Sequence, residues 1–437
     1  MKRTVLTLAL ILALLVSSVI GFWCVISNST FAWNSQTVDT RSGLWCSLAL
    51  DSNNNPHICY SAVLSYNKRY GDYYLMYASW NGSAWDMQNL GPTDGGDSPL
   101  RLDSANNPHI IYRNNSNLMY ANLAGSNWIF QTVDEDVIDF GSIALALDSN
   151  GHPRISYCKD NILKYASWTN SSWKIQTVDS QGQVGFQSSI ALDANDYPQI
   201  FYGEQISVTE AHDLKYAAWT GSTWNIQTVT TNVSQLGNIA LDSNGCPHIC
   251  YVSRDIRATL LPENKGHTYS YNDTLSHTYS YNDTLKYVYM AGDAWKIQTV
   301  AQGDSKSHTS YFGNGYLALD SGNNPHICFY EEQYTVENVV RGIKYARWTG
   351  SCWHVQDVNS RVVCSGPIAL DSKGIPHVSY CSLDPEQTYW IQGDLVYAVL
   401  AEPFLTTLLI ATSVIIAIVC IGSIVYFKKR KGEAKPS

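Results

Sequence analysis

One turn, written seven times, constrains this chain more than anything else in it. It begins Leu-Asp-Ser or Leu-Asp-Ala, carries a proline five residues after the aspartate, and closes on Tyr60, Tyr112, Tyr157, Tyr202, Tyr251, Tyr330 and Tyr380. Successive copies lie about 45 to 52 residues apart, except where an insertion stretches the interval between Pro247 and Pro325. The cleanest unit, residues 189–229, breaks into four short apolar runs, IALD, PQIFY, LKYAAW and WNIQTV. An Asp/Asn-rich turn, a variable loop and a tight Thr-Gly-Ser-Thr hairpin separate them, which is the pattern of consecutive antiparallel strands.

A four-stranded unit repeated at this period predicts an all-β, seven-bladed β-propeller of four-stranded antiparallel blades. The seventh repeat supplies only three strands, and the missing fourth lies at the front. WNSQTVD at Trp33 to Asp39 matches WKIQTVD at Trp173 to Asp179. The N-terminal strand is therefore expected to pair with residues 394–399 and close the ring, removing an exposed edge. IALD becomes the innermost strand and WNIQTV the outermost. Tryptophans flanking the outer hairpins (Trp80 and Trp85, Trp168 and Trp173, Trp219 and Trp224, Trp348 and Trp353) are expected to pack between blades, with sugar stacking as the alternative.

The ends differ from the repeats. Residues 1–27 have a basic start and an apolar run, the layout of an export signal or an uncleaved N-terminal anchor. Residues 402–427 read as a transmembrane helix and the basic segment 428–437 as a cytoplasmic tail, which puts the propeller, 28–401, outside the cell membrane. Sequons begin at Asn28, Asn81, Asn114, Asn170, Asn232, Asn272 and Asn282, as an exported glycoprotein would carry. With a net charge of -9 and a pI near 5.6, the chain has no footprint for nucleic acid. Of eleven cysteines, Cys46 with Cys59 and Cys364 with Cys381 sit on neighbouring strands, where a bridge is conceivable in a diagonal register. Cys59, Cys250 and Cys328 share one strand position and read as small buried side chains.

The hairpin face should lie toward the bilayer, because the third strand of the last repeat ends close to the apolar helix. The variable loops then face outward, and they differ from blade to blade as expected when a scaffold is repeated and a function is not. They supply the candidate ligand-binding residues Tyr66, Arg69, Asp72, Glu204, His212, Glu332 and Arg341, a mixture of tyrosine, cations and carboxylates suited to glycan or protein. The insertion carries HTYSYNDTL twice, at residues 267–275 and 277–285, whose alternation suits a projecting β-ribbon. His267 and His277 lack a third ligand, so no metal is expected, and no cofactor motif is present. The acidic run Asp134, Glu135, Asp136 and Asp139 lacks the spacing of a calcium loop and reads as a solvated cluster.

The histidines after the repeat proline (His57, His109, His248, His326 and His377), with the aspartate before them, invite a catalytic reading. Repetition argues otherwise, since a catalytic group is needed once and a turn must be held in every blade. Arg154 and Gln199 replace the histidine in the two remaining cases that break the pattern inside the ring. The aspartate is expected to accept hydrogen bonds from turn amides.

The Gly-x-x-Trp of the outer hairpins, at residues 82–85, 221–224 and 350–353, resembles a degenerate Asp-box of sialidase-type propellers. The LDSxGxPHxxY turn is similar to repeats of polysaccharide-lyase-type propellers. The Asp-box aspartate is replaced by Trp80, Trp219 and Trp348, and no arginine triad is assignable, so the resemblance implies fold and not sialidase activity. The sequence reading is thus a membrane-anchored, cell-surface propeller acting as a non-catalytic binding or adhesion module for glycan or protein. Its alternatives are an extracellular polysaccharide-active enzyme, lyase or glycoside hydrolase, and a structural envelope protein.

Overall fold

The computed structural model describes residues 32–41, 43–65, 72–137, 143–169, 171–206, 212–259, 278–303, 309–334, 339–362, 366–383 and 393–401. The chain divides into a unit Ser35–Val399 and a second made of its two ends, Met1–Asn34 with Leu400–Ser437. In the second unit, the Ala401 amide donates to the Ala32 carbonyl at 2.8 Å. The signal or anchor, the 404–427 apolar run and the basic tail lie outside the described residues. Among the described residues no helix is long and apolar enough to cross a membrane.

The larger unit is all-β. β1 (Trp33–Asp39) is followed by blade 1, β2 (Leu44–Leu50), β3 (Pro56–Ser65), β4 (Asp72–Trp80) and β5 (Trp85–Thr93). Blade 2 is β6 (Leu100–Leu102), β7 (Pro108–Asn114), β8 (Asn117–Ala124) and β9 (Asn127–Asp134). Blade 3 is β10 (Ala144–Leu147), β11 (Pro153–Lys159), β12 (Ile162–Trp168) and β13 (Trp173–Asp179). Blade 4 runs through β14 (Gln183–Leu192), β15 (Pro198–Gln205), β16 (His212–Trp219) and the first half of β17 (Trp224–Leu241). The second half of β17 opens blade 5, continued by β18 (Pro247–Thr259), β19 (Thr278–Ala291) and β20 (Ala294–Gln302). Blade 6 is β21 (Thr309–Leu319), β22 (Pro325–Tyr334), β23 (Val339–Trp348) and β24 (Trp353–Asn359); blade 7 has β25 (Ile368–Leu370), β26 (Pro376–Leu383) and β27 (Gly393–Leu400). The order β1-β27-β26-β25 in the last sheet shows the N-terminal strand completing it from the outer edge, as the sequence predicts. The described ends of the insertion form a ribbon: β18 and β19 pair continuously from His248↔Tyr289 to Thr259↔Thr278.

Each repeated residue has an identifiable task. In all seven turns the aspartate Oδ1 accepts two backbone amides, as Asp51 does from Asn53 and Asn55 at 2.8 and 2.7 Å. The third residue after that aspartate always has positive φ: Asn54, Asn106, Gly151, Asp196, Gly245, Asn323 and Gly374. Where it is Asn, its side chain reaches the serine of the preceding blade's turn. Asn106 clasps Ser52, Asn323 clasps Ser243, and Asn54 clasps Ser372 across the ring closure at 3.0 Å each way.

From each turn a chain of contacts runs outward. His57 Nε2 stands 3.8 Å from Asp51 Oδ2, and its Nδ1 meets the Tyr77 hydroxyl at 2.5 Å. A carboxylate facing Nε2 favours the proton on that nitrogen, so the hydroxyl donates to Nδ1. The Tyr77 ring then packs edge-on against Trp128 of the next blade at 5.3 Å. The same histidine–tyrosine pair recurs as His109 with Tyr120, His248 with Tyr287, His326 with Tyr345 and His377 with Tyr397. Tyrosine–tryptophan contacts recur as Tyr120 with Trp173, Tyr165 with Trp224, Tyr216 with Trp295, Tyr287 with Trp353 and Tyr397 with Trp85. Each of these tryptophans joins an apolar cluster shared by two blades, so their role is packing. Arg154 substitutes by donating to Asp148 at 2.6 Å, and Gln199 by accepting from Tyr216 at 2.7 Å. Cys46 and Cys59 are both buried thiols rather than a bridge, and Cys46 Sγ accepts from the Ser379 hydroxyl at 3.4 Å; Cys364 lies outside the described residues.

Burial pushes the pKa of all five histidines down, against the pull of the adjacent aspartates. The unfolded chain therefore binds more protons than the folded one below the ordinary histidine pKa of about 6.5. Stability is fully present above that pH and falls as pH drops through it toward the depressed folded values. Urea unfolding at pH 7.5 and 5.5 should show this loss, and His248→Gln, which imports the solution used at Gln199, should remove about a fifth of it; a wild-type midpoint unchanged between the two pH values would refute the assignment.

Candidate functional site

The inner strands of all seven blades converge on a central cavity of about 340 Å³. Each inner strand enters at the face carrying the variable connections and leaves at the face carrying the aspartate turns. At the entering end the pairing breaks in four blades, between Leu44 and Ser47, Phe186 and Ser189, Leu236 and Ile239, and Phe312 and Gly315. A bulge of this kind re-aims the side chain of the extra residue. The repeat puts Trp45, Asp97, Gln187, Leu236 and Asn314 at corresponding positions around this mouth, a different residue in each blade.

Trp45 stands apart. Its φ is 49°, a conformation costly for a bulky side chain, and its indole is 39% exposed although most large rings here are buried. Tyr73 packs edge-on against it at 5.5 Å, and a Cβ on Gly95 would come within 3.2 Å of both rings, so a glycine makes room for the pair. Gln187, also at positive φ (47°), donates to Gln235 at 2.6 Å and accepts the Leu236 amide at 2.7 Å. Strain of roughly 1–3 kcal/mol per such residue persists only where the surroundings enforce it, and it clusters at functional sites.

The residues singled out in the sequence fall elsewhere, on strand ends rather than in free loops. Glu332 and Arg341 face each other across β22 and β23, with Arg341 Nε donating to Glu332 Oε1 at 2.7 Å. Tyr330 donates to the other oxygen at 3.3 Å. Glu204 on β15 receives Lys215 Nζ at 3.1 Å, and the same ammonium reaches Asp179 at 3.2 Å. Burial alone would lower the Lys215 pKa, but its bonds to Glu204 and Asp179 outweigh that and raise it. Asp213, opposite Glu204, has its pKa raised by burial and then by the Glu204 charge. His212 is buried, stacked on Phe186 at 4.2 Å. Asp72 is exposed at the start of β4; Tyr66 and Arg69 lie outside the described residues.

Among the sequons, Asn81 is exposed in a hairpin, its side-chain oxygen accepting the Ser83 and Ala84 amides, and Asn232 is exposed with positive φ. Asn114 ends β7 and Asn282 lies in β19, while Asn28, Asn170 and Asn272 are outside the described residues. Asp134 is held by the Tyr157 hydroxyl at 2.7 Å and Lys159 at 3.0 Å, so this carboxylate works as a blade contact.

Sequence reasoning passed over Trp45, Gln187, Asn314 and Arg101. The available signal was their departure from the inner-strand consensus of the repeat.

No protein-family model matches the chain, and no curated protein does. Among solved structures it is similar to a polysaccharide lyase described as the PL25 ulvan lyase, at 11% identity and a TM-score of 0.51, over 84% of this chain and 94% of that one. The same figures hold for that lyase bound to -[GlcA(1-4)Rha3S]-. The β-propeller domain of the Trilobed protease from Pyrococcus furiosus aligns at 10% identity and a TM-score of 0.43, over 82% of this chain and 98% of that one. These neighbours are propeller-type folds, and at such identity the likeness is one of fold alone.

Removing one member of the Glu332–Arg341 pair leaves the other charge poorly solvated between strands. Arg341→Ala should lower the unfolding free energy by about 2–4 kcal/mol, and the double variant Glu332→Ala/Arg341→Ala should recover part of it. Equal urea midpoints for wild type and Arg341→Ala would show that the pair has no structural role.

Proposed function

We propose that this chain is a membrane-anchored, cell-surface β-propeller that binds glycan, without transforming it, at the cavity mouth. The observation that carries the reading is Trp45: an exposed indole held at a strained φ beside Tyr73, with Gln187 and Asn314 in the same ring of positions. An aromatic face suits the C–H surface of a sugar, and planar amides suit its hydroxyls, the mixture of apolar wall and few polar groups that ligand sites use. The anchor is the 404–427 run. Glu204, Glu332 and Arg341 support the rim through ion pairs, and Tyr66, Arg69 and Asp72 belong to the neighbouring blade 1 connection.

A second reading, polysaccharide cleavage, draws on Asp213. Its raised pKa beside Glu204 and Lys215 is what a proton donor needs, and the lyase of similar fold acts on a polysaccharide.

A glycan array probed with the full-length chain, followed by incubation of any bound glycan, separates these readings. Trp45→Ala should weaken binding about tenfold or more while shifting the melting temperature by only a few degrees, because alanine keeps the same positive φ and the ring removed is an exposed one. Unchanged glycan affinity in Trp45→Ala would sink the site; cleavage products lost in Asp213→Asn would establish the enzymatic reading instead.

A further inference from the structure

The residue two places before each turn aspartate is alanine in six blades: Ala49, Ala146, Ala191, Ala240, Ala318 and Ala369. In blade 2 it is Arg101. A small side chain suits this position because seven inner strands crowd together there, so a single arginine is a conspicuous departure from the repeat. Arg101 lines the central cavity.

Four other arginines face carboxylates: Arg41 with Asp39 at 2.9 Å, Arg154 with Asp148 at 2.6 Å, Arg254 with Asp283 at 2.9 Å and Arg341 with Glu332 at 2.7 Å. Arg101 has no such partner among the described residues. The hydrogen bond its side chain makes is to the adjacent Leu100 carbonyl, from Nη1 at 2.8 Å. It is open to the solvent of the cavity yet surrounded by protein, and desolvation lowers its pKa with no carboxylate to oppose the shift. A guanidinium so placed has several N–H donors in a planar fork and, among the described residues, only the Leu100 carbonyl to receive one of them.

A species rich in acceptor oxygens answers the donors that Leu100 leaves over.

We propose that the central cavity is an anion site in which Arg101 binds a carboxylate or sulfate group. It lies toward the turn face, four residues along the strand from the position of Asp97 at the mouth, and it does not depend on the glycan reading. The group arrives either as a free small anion or as the acid substituent of a sugar, and the two sources share the same recognition by a guanidinium fork.

Isothermal titration of the full-length chain with sodium sulfate, sodium acetate and sodium glucuronate, at constant ionic strength in chloride, tests this. Arg101→Ala installs the residue present in the other six blades and should fold with an unchanged or higher melting temperature. Saturable binding of at least one anion, weakened about tenfold or more in Arg101→Ala and retained in the exposed control Arg361→Ala, is the expected result. Response to sulfate or acetate identifies a free anion, and response to glucuronate alone identifies an acidic sugar. Absence of binding by all three anions, or equal affinity in wild type and Arg101→Ala, would overturn the proposal.

Discussion

Everything in this ring hangs from a carboxylate that receives two backbone amides. That bond fixes the turn between the first and second strands of every blade, and it sets the third residue beyond it at positive φ. From the fixed turn, histidine, tyrosine and the next blade's tryptophan follow in line. The blades are thereby joined twice, at the turn face by side-chain clasps and at the outer edge by aromatic packing. The same clasp between Asn54 and Ser372 operates where the two ends of the propeller meet, so closure uses no device beyond the repeat, apart from the donated strand β1.

A scaffold held so uniformly allows departures from the repeat to be read as chemistry. A repeated His or Asp is accounted for five or seven times over by packing and turns. Trp45 and Arg101 occur once each, at positions where the other blades carry smaller residues. One lies at the cavity mouth and the other near the turn face. They divide the cavity into an aromatic end and a cationic end, which suits a ligand with an uncharged sugar face and an acidic group, or two separate ligands.

Much of this was legible in the sequence for a physical reason. Turn chemistry is local, so Asp51 and its six counterparts announce their task, and the alternation of apolar residues gives the strands and their order. The ribbon of the tandem insertion was legible in the same way. The ends of β15, β16, β22 and β23 were not: Glu204, His212, Glu332 and Arg341 read as loop residues because polarity rises there, whereas cross-strand pairing carries the strands through them. The bulges at the mouth were hidden for another reason. They arise from a mismatch in register between two strands, a relation between segments that no single stretch displays, and they alone bring Trp45 and Gln187 to the mouth. The cysteines illustrate a third limit. Cys46 and Cys59 lie on adjacent strands, but adjacency does not set side-chain direction, and both remain thiols.

The central claim is that repeated residues build the ring and singular residues at the cavity hold the ligand. Hydrogen–deuterium exchange of the full-length chain, with and without a glycan that it binds, tests this most directly. Protection is predicted in the inner-strand segments 44–49, 97–102, 187–190 and 314–317, with the turns at Asp51, Asp242 and Asp371 unchanged. Protection confined to the aspartate turns or to the outer strands, with the inner segments unaffected, would contradict it.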